Sequence, residues 1–442
     1  MIKMTMSNII MNTGKITKQI VQQLIKKQPK VDEEQPCVEL YCSEYRDQRC
    51  IPHSTNTKSF VFNGDQLFFE GYPYSIELSQ DNCEGLQFEK CSFFEAHEGT
   101  LLRVFNINGK WYTSTNRCLD AFKSKWAAKT TTFGIHFADT VRENIRAIDD
   151  DEIFEDDEAD VKTLEERKKD ARDYLNKIYE VNLDKSKKYM FLLEPCKEER
   201  IVCLTKPYSF FNIGVFDKDN NLSLDEDVML DGFKVPKTKK HVFENMNEML
   251  HALDNIDINK IQGFIAIQND EGRDKHYKIL NNRYKYYFGL RNNTPSIRFR
   301  FIQLYHQNTI VNLNYGINQQ TTIQTNQMLK DFCSMYDFNP HPLLEYIWTK
   351  IVKDLFQKYK QRYIKKLPDF AITEKQDKML KEIHNHFIES LRNGTRRVTN
   401  ESRIMDILTI QEPSSFNQLI AEYEKKDKDS EKEHTLRNME IS

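Results

Sequence analysis

Residues 95–115 read Glu95-Ala96-His97-Glu98-Gly99-Thr100 followed by LLRVFNINGKWYTST. An acid-glycine turn enters a β-rich run, which reaches Asn108-Gly109 and is followed by a second such run. Asn-Gly accepts the positive φ of a tight antiparallel return, so the stretch predicts a strand, a hairpin turn and a second strand. The alternation in residues 100–107 puts Arg103 and Phe105 on one strand face. The same grammar recurs upstream in Phe60-Val-Phe-Asn-Gly-Asp-Gln-Leu-Phe68. From about Val38 to Phe137 the chain is therefore strand-dominated.

Working outward, 442 residues suggest two to three domains, and a 39% hydrophobic fraction supplies a core for each. A formal net charge of −3 excludes a chain that is basic throughout, so contact with nucleic acid requires a local patch. The nine cysteines show no paired metal-knuckle spacing, which argues for reduced thiols and against zinc. No run reaches the roughly 18 to 20 apolar residues of a membrane span, and the first thirty-five residues lack a signal-type apolar core. These features predict a soluble, intracellular, cytoplasmic protein with no membrane partner.

Residues 149–160 carry nine acids in twelve positions, which reads as a solvated linker or insertion spanning about 141–165; such a run can also bind a basic protein partner. A helix is expected from Val161 to about Glu180. Strands are expected at residues 187–195, 199–205, 210–217, 263–268 and 276–280. Asp217-Lys-Asp-Asn-Asn221 imitates a calcium loop but lacks its glycine and closing glutamate, so a hairpin loop is expected. After about Gln303 the pattern turns helical. Between Pro342 and Lys366, Ile347, Ile351, Val352, Leu355, Phe356, Tyr359 and Tyr363 fall at helical spacing. The opposite face is rich in lysine and arginine, including Lys353, Lys358, Lys360, Arg362 and Lys365, and reads equally as a phosphate-facing surface or a solvated face. Further helices are expected at about 374–393 and 402–424, with a frayed polar end. His384 and His386, at i and i+2 of a helix, point to different sides and form no metal pair.

The order of these elements resembles the phage-type RNA ligases of the covalent nucleotidyltransferase superfamily. In that superfamily a Lys-x-Asp/Glu-Gly turn enters a strand and its lysine accepts a nucleoside monophosphate. Here Ala96 holds the lysine's position. Lys188-Tyr-Met-Phe-Leu-Leu-Glu194-Pro-Cys-Lys-Glu-Glu-Arg200-Ile-Val-Cys203 resembles the family's third motif, and Phe210-Phe211-Asn-Ile-Gly-Val-Phe216 stands where a strand borders the nucleobase. The likeness spans about residues 85–305, and the degenerate pattern is similar to that of proteins from large DNA viruses.

The resemblance implies an α+β fold: a nucleotidyltransferase (ATP-grasp-like ligase) domain of antiparallel sheets, followed by a small α-helical C-terminal domain. It divides the chain into an extension at 1–36, the ligase-like domain at 37–305, helices at 306–425 and a polar tail at 426–442. It makes Glu98, Glu194 and Lys278 the catalytic group, with Glu194 near a ribose or metal. Gly99 becomes the close-approach glycine, and Thr100, Arg103, Arg117, Phe210 and Phe211 become nucleotide-binding residues, one of the two phenylalanines stacking on adenine. ATP, Mg²⁺ and RNA are the implied ligands. Gln262 replaces a metal-binding glutamate and Leu280 a second lysine; an alanine cannot form a phosphoramidate, and a neutral amide offers Mg²⁺ a weaker ligand than a carboxylate. Adenylyl transfer is therefore expected to be impaired or lost, unless another lysine such as Lys90, Lys110, Lys123 or Lys125 takes over. Reuse of the fold by a structural or interaction protein is the third reading.

The same residues have ordinary readings. Glu194 could pair with Arg200, and the phenylalanines could be core. Residues 284–305 interleave aromatics with Lys285, Arg291, Arg298 and Arg300, which suits a single-stranded RNA path; the ordinary reading is a strand at Ile297–Ile302 with exposed arginines.

Overall fold

The computed structural model describes residues 16–25, 28–42, 59–72, 75–83, 86–126, 130–148, 162–196, 199–204, 206–270, 273–314, 326–367, 370–395 and 398–441. The acidic stretch 149–160, with its expected linker or partner role, lies outside them. Two compact units result, Met1–Phe288 and Gly289–Ser442. The division lies upstream of the boundary expected after residue 305, which itself sits inside a helix.

The first unit is α+β and mostly antiparallel. β1 (Lys30–Val31), β2 (Val38–Cys42), β3 (Ser59–Asn63) and β4 (Gln66–Glu70) form one sheet in that order. The expected N-terminal extension thus contributes a strand, with Lys30 opposite Leu40. Next along the chain come β5 (Ile76–Leu78), β6 (Cys91–Ala96), β7 (Thr100–Ile107), β8 (Lys110–Thr115), β9 (Lys188–Leu193), β10 (Phe210–Phe216) and β11 (Leu222–Ser223). A small ribbon of β12 (Met229–Leu230) and β13 (Phe233–Lys234) precedes β14 (Lys240–His241), β15 (Gly263–Asp270) and β16 (Arg273–Leu280). The second sheet runs β11-β10-β9-β7-β8 and the third β14-β6-β15-β16-β5, so β6 and β7, adjacent in sequence, go to different sheets. The β7–β8 hairpin closes through Asn108 (φ 51) and Gly109 (φ 81), both in the left-handed region.

The period-2 alternation assigns each strand face to a core. Leu102, Val104, Phe191 and Phe210 pack under α2 (Phe133–Arg146) and α3 (Leu164–Asn182). Phe105, Ile107 and Met190 face the first sheet's Val38, Val61 and Phe69. α3 starts with a capping box, in which Thr163 and Glu166 satisfy each other's backbone N–H groups. In the third sheet Phe93, Phe264, Ala266, Tyr277 and Ile279 bury against Met249 and Leu253 of α4 (Met246–Asp254), after α1 (Lys18–Leu24) and the two helices above. The opposite face of that sheet is left for the cleft.

Three expectations are corrected. Residues 199–204 form a bent loop, because their amides turn inward to a buried carboxylate. Residues 284–291 and 297–305 are helical, in α5 (Asn282–Arg291) and α6 (Ile297–Asn314): the alternation at 297–302 is short, while Phe301, Ile302, Leu304 and Tyr305 are buried together at helical spacing. The last helix is two, Glu401–Thr409 and Pro413–Ile441; proline at a first turn starts the second, which continues through the end expected to fray.

The second unit is helical, built around Ile347, Ile351, Val352, Leu355 and Tyr359 with Leu380, Ile383, Ile404, Leu408 and Ile420. Its run from His341 to Ile364 contains π-type turns at Ile347–Val352 and Lys360–Ile364. Among the described residues no helix is long and apolar enough to cross a membrane.

Candidate functional site

Within the first unit a cavity of about 450 Å³ opens where the third sheet meets the ends of β7, β9 and β10. That size suits a small-molecule ligand. Phe94, Ala96, Ile265, Ile267, His276 and Lys278 form one wall, and Gly99, Leu101, Leu192, Asn212 and Ile213 the other. The register explains the first wall: Phe94 pairs with Ile265, which pairs with Lys278, so all three share a face. Lys237, Lys240 and Lys278 line it against Glu77, Glu95 and Asp225. Lys237 is bound to Asp227 at 2.8 Å, Lys240 is exposed, and burial lowers the Lys278 amine below its ordinary value, with Glu77 opposing.

Ala96 is 3% exposed at the end of β6, and no amine stands at that position. Gln262 closes this strand end, its backbone N–H donating to the Ala96 carbonyl at 2.7 Å and its Nε2 to the His97 carbonyl at 2.6 Å. The amide side chain where the resemblance places a metal ligand is thus a backbone clamp. Gly99 is required sterically, since a Cβ there would lie 2.4 Å from the Leu193 carbonyl oxygen.

Glu98 does not line the cavity. It is 2% exposed, and its carboxylate accepts the Val202 N–H at 2.9 Å and the Tyr284 hydroxyl at 2.7 Å. Burial raises its carboxyl above the usual range, and the Tyr284 hydrogen bond opposes the rise. Glu194 is also buried, with its Oε1 3.1 Å from His97 Nδ1. His97 Nε2 lies 3.4 Å from Glu95 Oε2, and the other Glu95 oxygen is 3.0 Å from His241 Nε2. A line His241–Glu95–His97–Glu194 therefore results, of which Glu95 and His97 line the cavity, and the sequence reading missed it. Its one signal was Glu95 and His97 two residues apart at the end of a strand, which spacing does not distinguish from an ordinary polar turn.

Other expected residues lie elsewhere. Arg103 is fully buried beneath the first sheet, donating to Ser59 Oγ at 2.8 Å, Ser114 Oγ at 3.1 Å and the Thr115 carbonyl; burial holds it down to about 10. Thr100 pairs with Leu193 in the sheet, and Arg117 is exposed after β8; neither lines the cavity. Phe210 is core, edge-on to Phe137. Phe211 carries the His97 ring at 4.3 Å between centroids and is not among the residues that line the cavity. Leu280 is buried. Lys110 is bound to Asp32 and Glu34, and Lys123 to Glu33; neither they nor Lys90 and Lys125 line the cavity. Among the described residues no three His, Cys, Asp or Glu side chains are arranged to hold a metal ion. With Glu194 committed to His97 and an amide at Gln262, the donor set does not fit Mg²⁺.

In the second unit Arg300 is buried, donating to the Leu290 carbonyl at 2.6 Å and the Gly289 carbonyl at 2.9 Å, and Arg298 is paired with Glu424 at 2.7 Å. Arg300 holds a helix end from inside the unit, which takes it off the expected RNA surface, and Arg298 joins two helices through a partly exposed ion pair. Arg362 is bound to Asp377, and Lys358 is buried against Asp354 and Gln376. Lys353 and Lys365 are exposed, and Lys360 lies 4.0 Å from the Phe356 ring centroid.

No family model matches the chain. Immediate-early protein ICP-46 homolog of Invertebrate iridescent virus 6 is 25% identical over 431 residues, covering 92% of this chain and 85% of the relative. Immediate-early protein ICP-46 of Frog virus 3 (isolate Goorha) is 27% identical over 250 residues, 56% of this chain and 58% of the relative. The homolog in Invertebrate iridescent virus 3 is 26% identical over 387 residues, 85% and 73% respectively. Among solved structures, a putative ATP-dependent DNA ligase from Aquifex aeolicus aligns with TM-score 0.33 and 13% identity over 78% of this chain and 79% of that one. An archaeal ATP-dependent RNA ligase, form 2, aligns with TM-score 0.34 and 10% identity over 92% and 98%. Alignments this loose say nothing about activity.

Proposed function

We propose that the first unit is an RNA ligase-like nucleotidyltransferase module whose cleft binds a nucleotide, and that adenylyl transfer through a lysine at position 96 is lost. The observation that carries this reading is the cavity wall itself. The strand expected to present the nucleophile does line a ligand-sized cavity, with Lys278 on the same face and alanine at the reacting position. Apolar walls suit a base and ribose, and Lys278 and Lys240 suit phosphate oxygens. The substitute lysines weighed from sequence are outside the cavity, which counts against a relocated lysine. The exposed Lys353 and Lys365, with Lys360, then supply the phosphate contacts for RNA ends in the second unit.

Binding of labelled ATP to the full chain at equilibrium tests this, repeated with GTP and a short 5′-phosphorylated RNA. Saturable ATP binding that weakens in Lys278→Met is expected. Absence of both ATP and RNA binding would leave a structural or interaction protein that reuses the architecture.

A further inference from the structure

Position 96 has no amine, but the next residue is a histidine that lines the same cavity. His97 lines it with a side chain 11% exposed. The Phe211 ring packs against the imidazole at 4.3 Å between centroids, tilted by 36°, and the 3.1 Å contact of Nδ1 with the buried Glu194 carboxylate restrains its rotation. A carboxylate that accepts from Nδ1–H selects the tautomer whose lone pair is on Nε2. The neighbour of Nε2 is looser, Glu95 Oε2 at 3.4 Å, and Glu95 is engaged through its other oxygen by His241 at 3.0 Å. An imidazole held at Nδ1 by a carboxylate, in a residue that lines a cavity and with only a 3.4 Å neighbour at Nε2, has the arrangement of an activated nucleophile or base.

We propose that His97 takes the nucleophile's place. Its Nε2 attacks the α-phosphorus of ATP bound in the cleft. The N–P bond forms as the bond from that phosphorus to the bridging oxygen breaks, and pyrophosphate leaves with the electron pair. The Nδ1 proton stays on the ring, and the Glu194 charge offsets the positive imidazole of the nucleotidyl-histidine. Lys278, in the same cavity, faces the charge that develops on the phosphoryl oxygens. Nothing is oxidised or reduced. The inference rests on the nucleotide reading of this cleft.

The test incubates the full chain with ATP labelled at the α-phosphate and Mg²⁺, denatures it, and maps any adduct by peptide, with ATP occupancy measured in parallel. One AMP is expected on the peptide containing His97, released by acid and stable to alkali. His97→Asn keeps an amide N–H for Glu194 and removes Nε2. It should lower adduct formation by about a hundredfold or more while ATP occupancy stays within about twofold. Glu194→Gln, which keeps an acceptor and removes the charge, should slow labelling by roughly tenfold with occupancy retained. Occupancy without an adduct would overturn His97 as nucleophile and leave the cleft reading intact, and so would an adduct mapped to a lysine. Absence of ATP occupancy would overturn both. The mapping on the unaltered protein decides even if neither variant folds.

Discussion

The cleft unit and the helical unit treat their charged residues in opposite ways. In the first, the charged side chains singled out from sequence are mostly consumed by the protein: Glu98 by loop amides and Tyr284, Glu194 by His97, and Arg103 by hydroxyls and a carbonyl. In the second, Lys353 and Lys365 remain at the surface, while Arg300 and Arg362 hold the fold together. A charge that folding removes from water must find partners inside, so its presence in a motif does not make it available to a ligand. A surface lysine carries no such obligation. Stability and binding should therefore separate differently in the two units.

The largest effect should come from Gly99→Val, because even the first side-chain carbon would stand 2.4 Å from the Leu193 carbonyl oxygen where β7 leaves the turn. A loss of about 3 kcal/mol or more is expected in urea unfolding, or failure to fold. A Gly99→Val protein that unfolds at the parent midpoint would show that this contact relaxes freely. Next, Glu98→Ala leaves the Val202 N–H and the Tyr284 hydroxyl without this partner and should cost about 2 kcal/mol.

Glu98→Gln should sharpen the same point through pH. Because burial raises the Glu98 carboxyl, its favourable contribution is fully present below the ordinary carboxylate range and is lost as pH rises through the raised value. Removing the charge should flatten the melting temperature in that window. An unchanged profile would mean that Glu98 is not the group responsible.

Lys278→Met should move stability and binding in opposite directions. The buried ammonium is disfavoured by the fold, so its removal should raise the melting temperature at neutral pH, while ATP affinity falls about tenfold, or about 1.4 kcal/mol. Loss of both would make Lys278 a structural cation like Arg103. The smallest structural effect belongs to the helical unit. Substituting Lys353, Lys360 and Lys365 together by alanine should leave the melting temperature nearly unchanged and lower the log–log salt slope of RNA binding by about 2. An unaltered slope would remove this helix from the RNA surface.

Much of the strand order was legible, because hairpin turns and period-2 runs are local signals. Asn108 and Gly109 take the left-handed angles that their dipeptide suggests. The helical face from Ile347 to Tyr359 was legible for the same reason, being repeated over several turns. The site was legible only as a stretch. Glu98 and Glu194 lie close to the turn at residues 95–100, yet neither opens to the cavity, and no role fell to His97 from the sequence.

The sequence by itself determined which segments extend and which coil, since those choices depend on side chains a few residues apart. It also determined that position 96 has no amine. Only the tertiary structure decided where the chemistry could go. Whether a carboxylate faces solvent, a loop amide or an imidazole depends on partners far along the chain, such as Val202 and Tyr284 for Glu98 and position 97 for Glu194. Burial and pairing are long-range properties, and residue spacing within one segment cannot encode them.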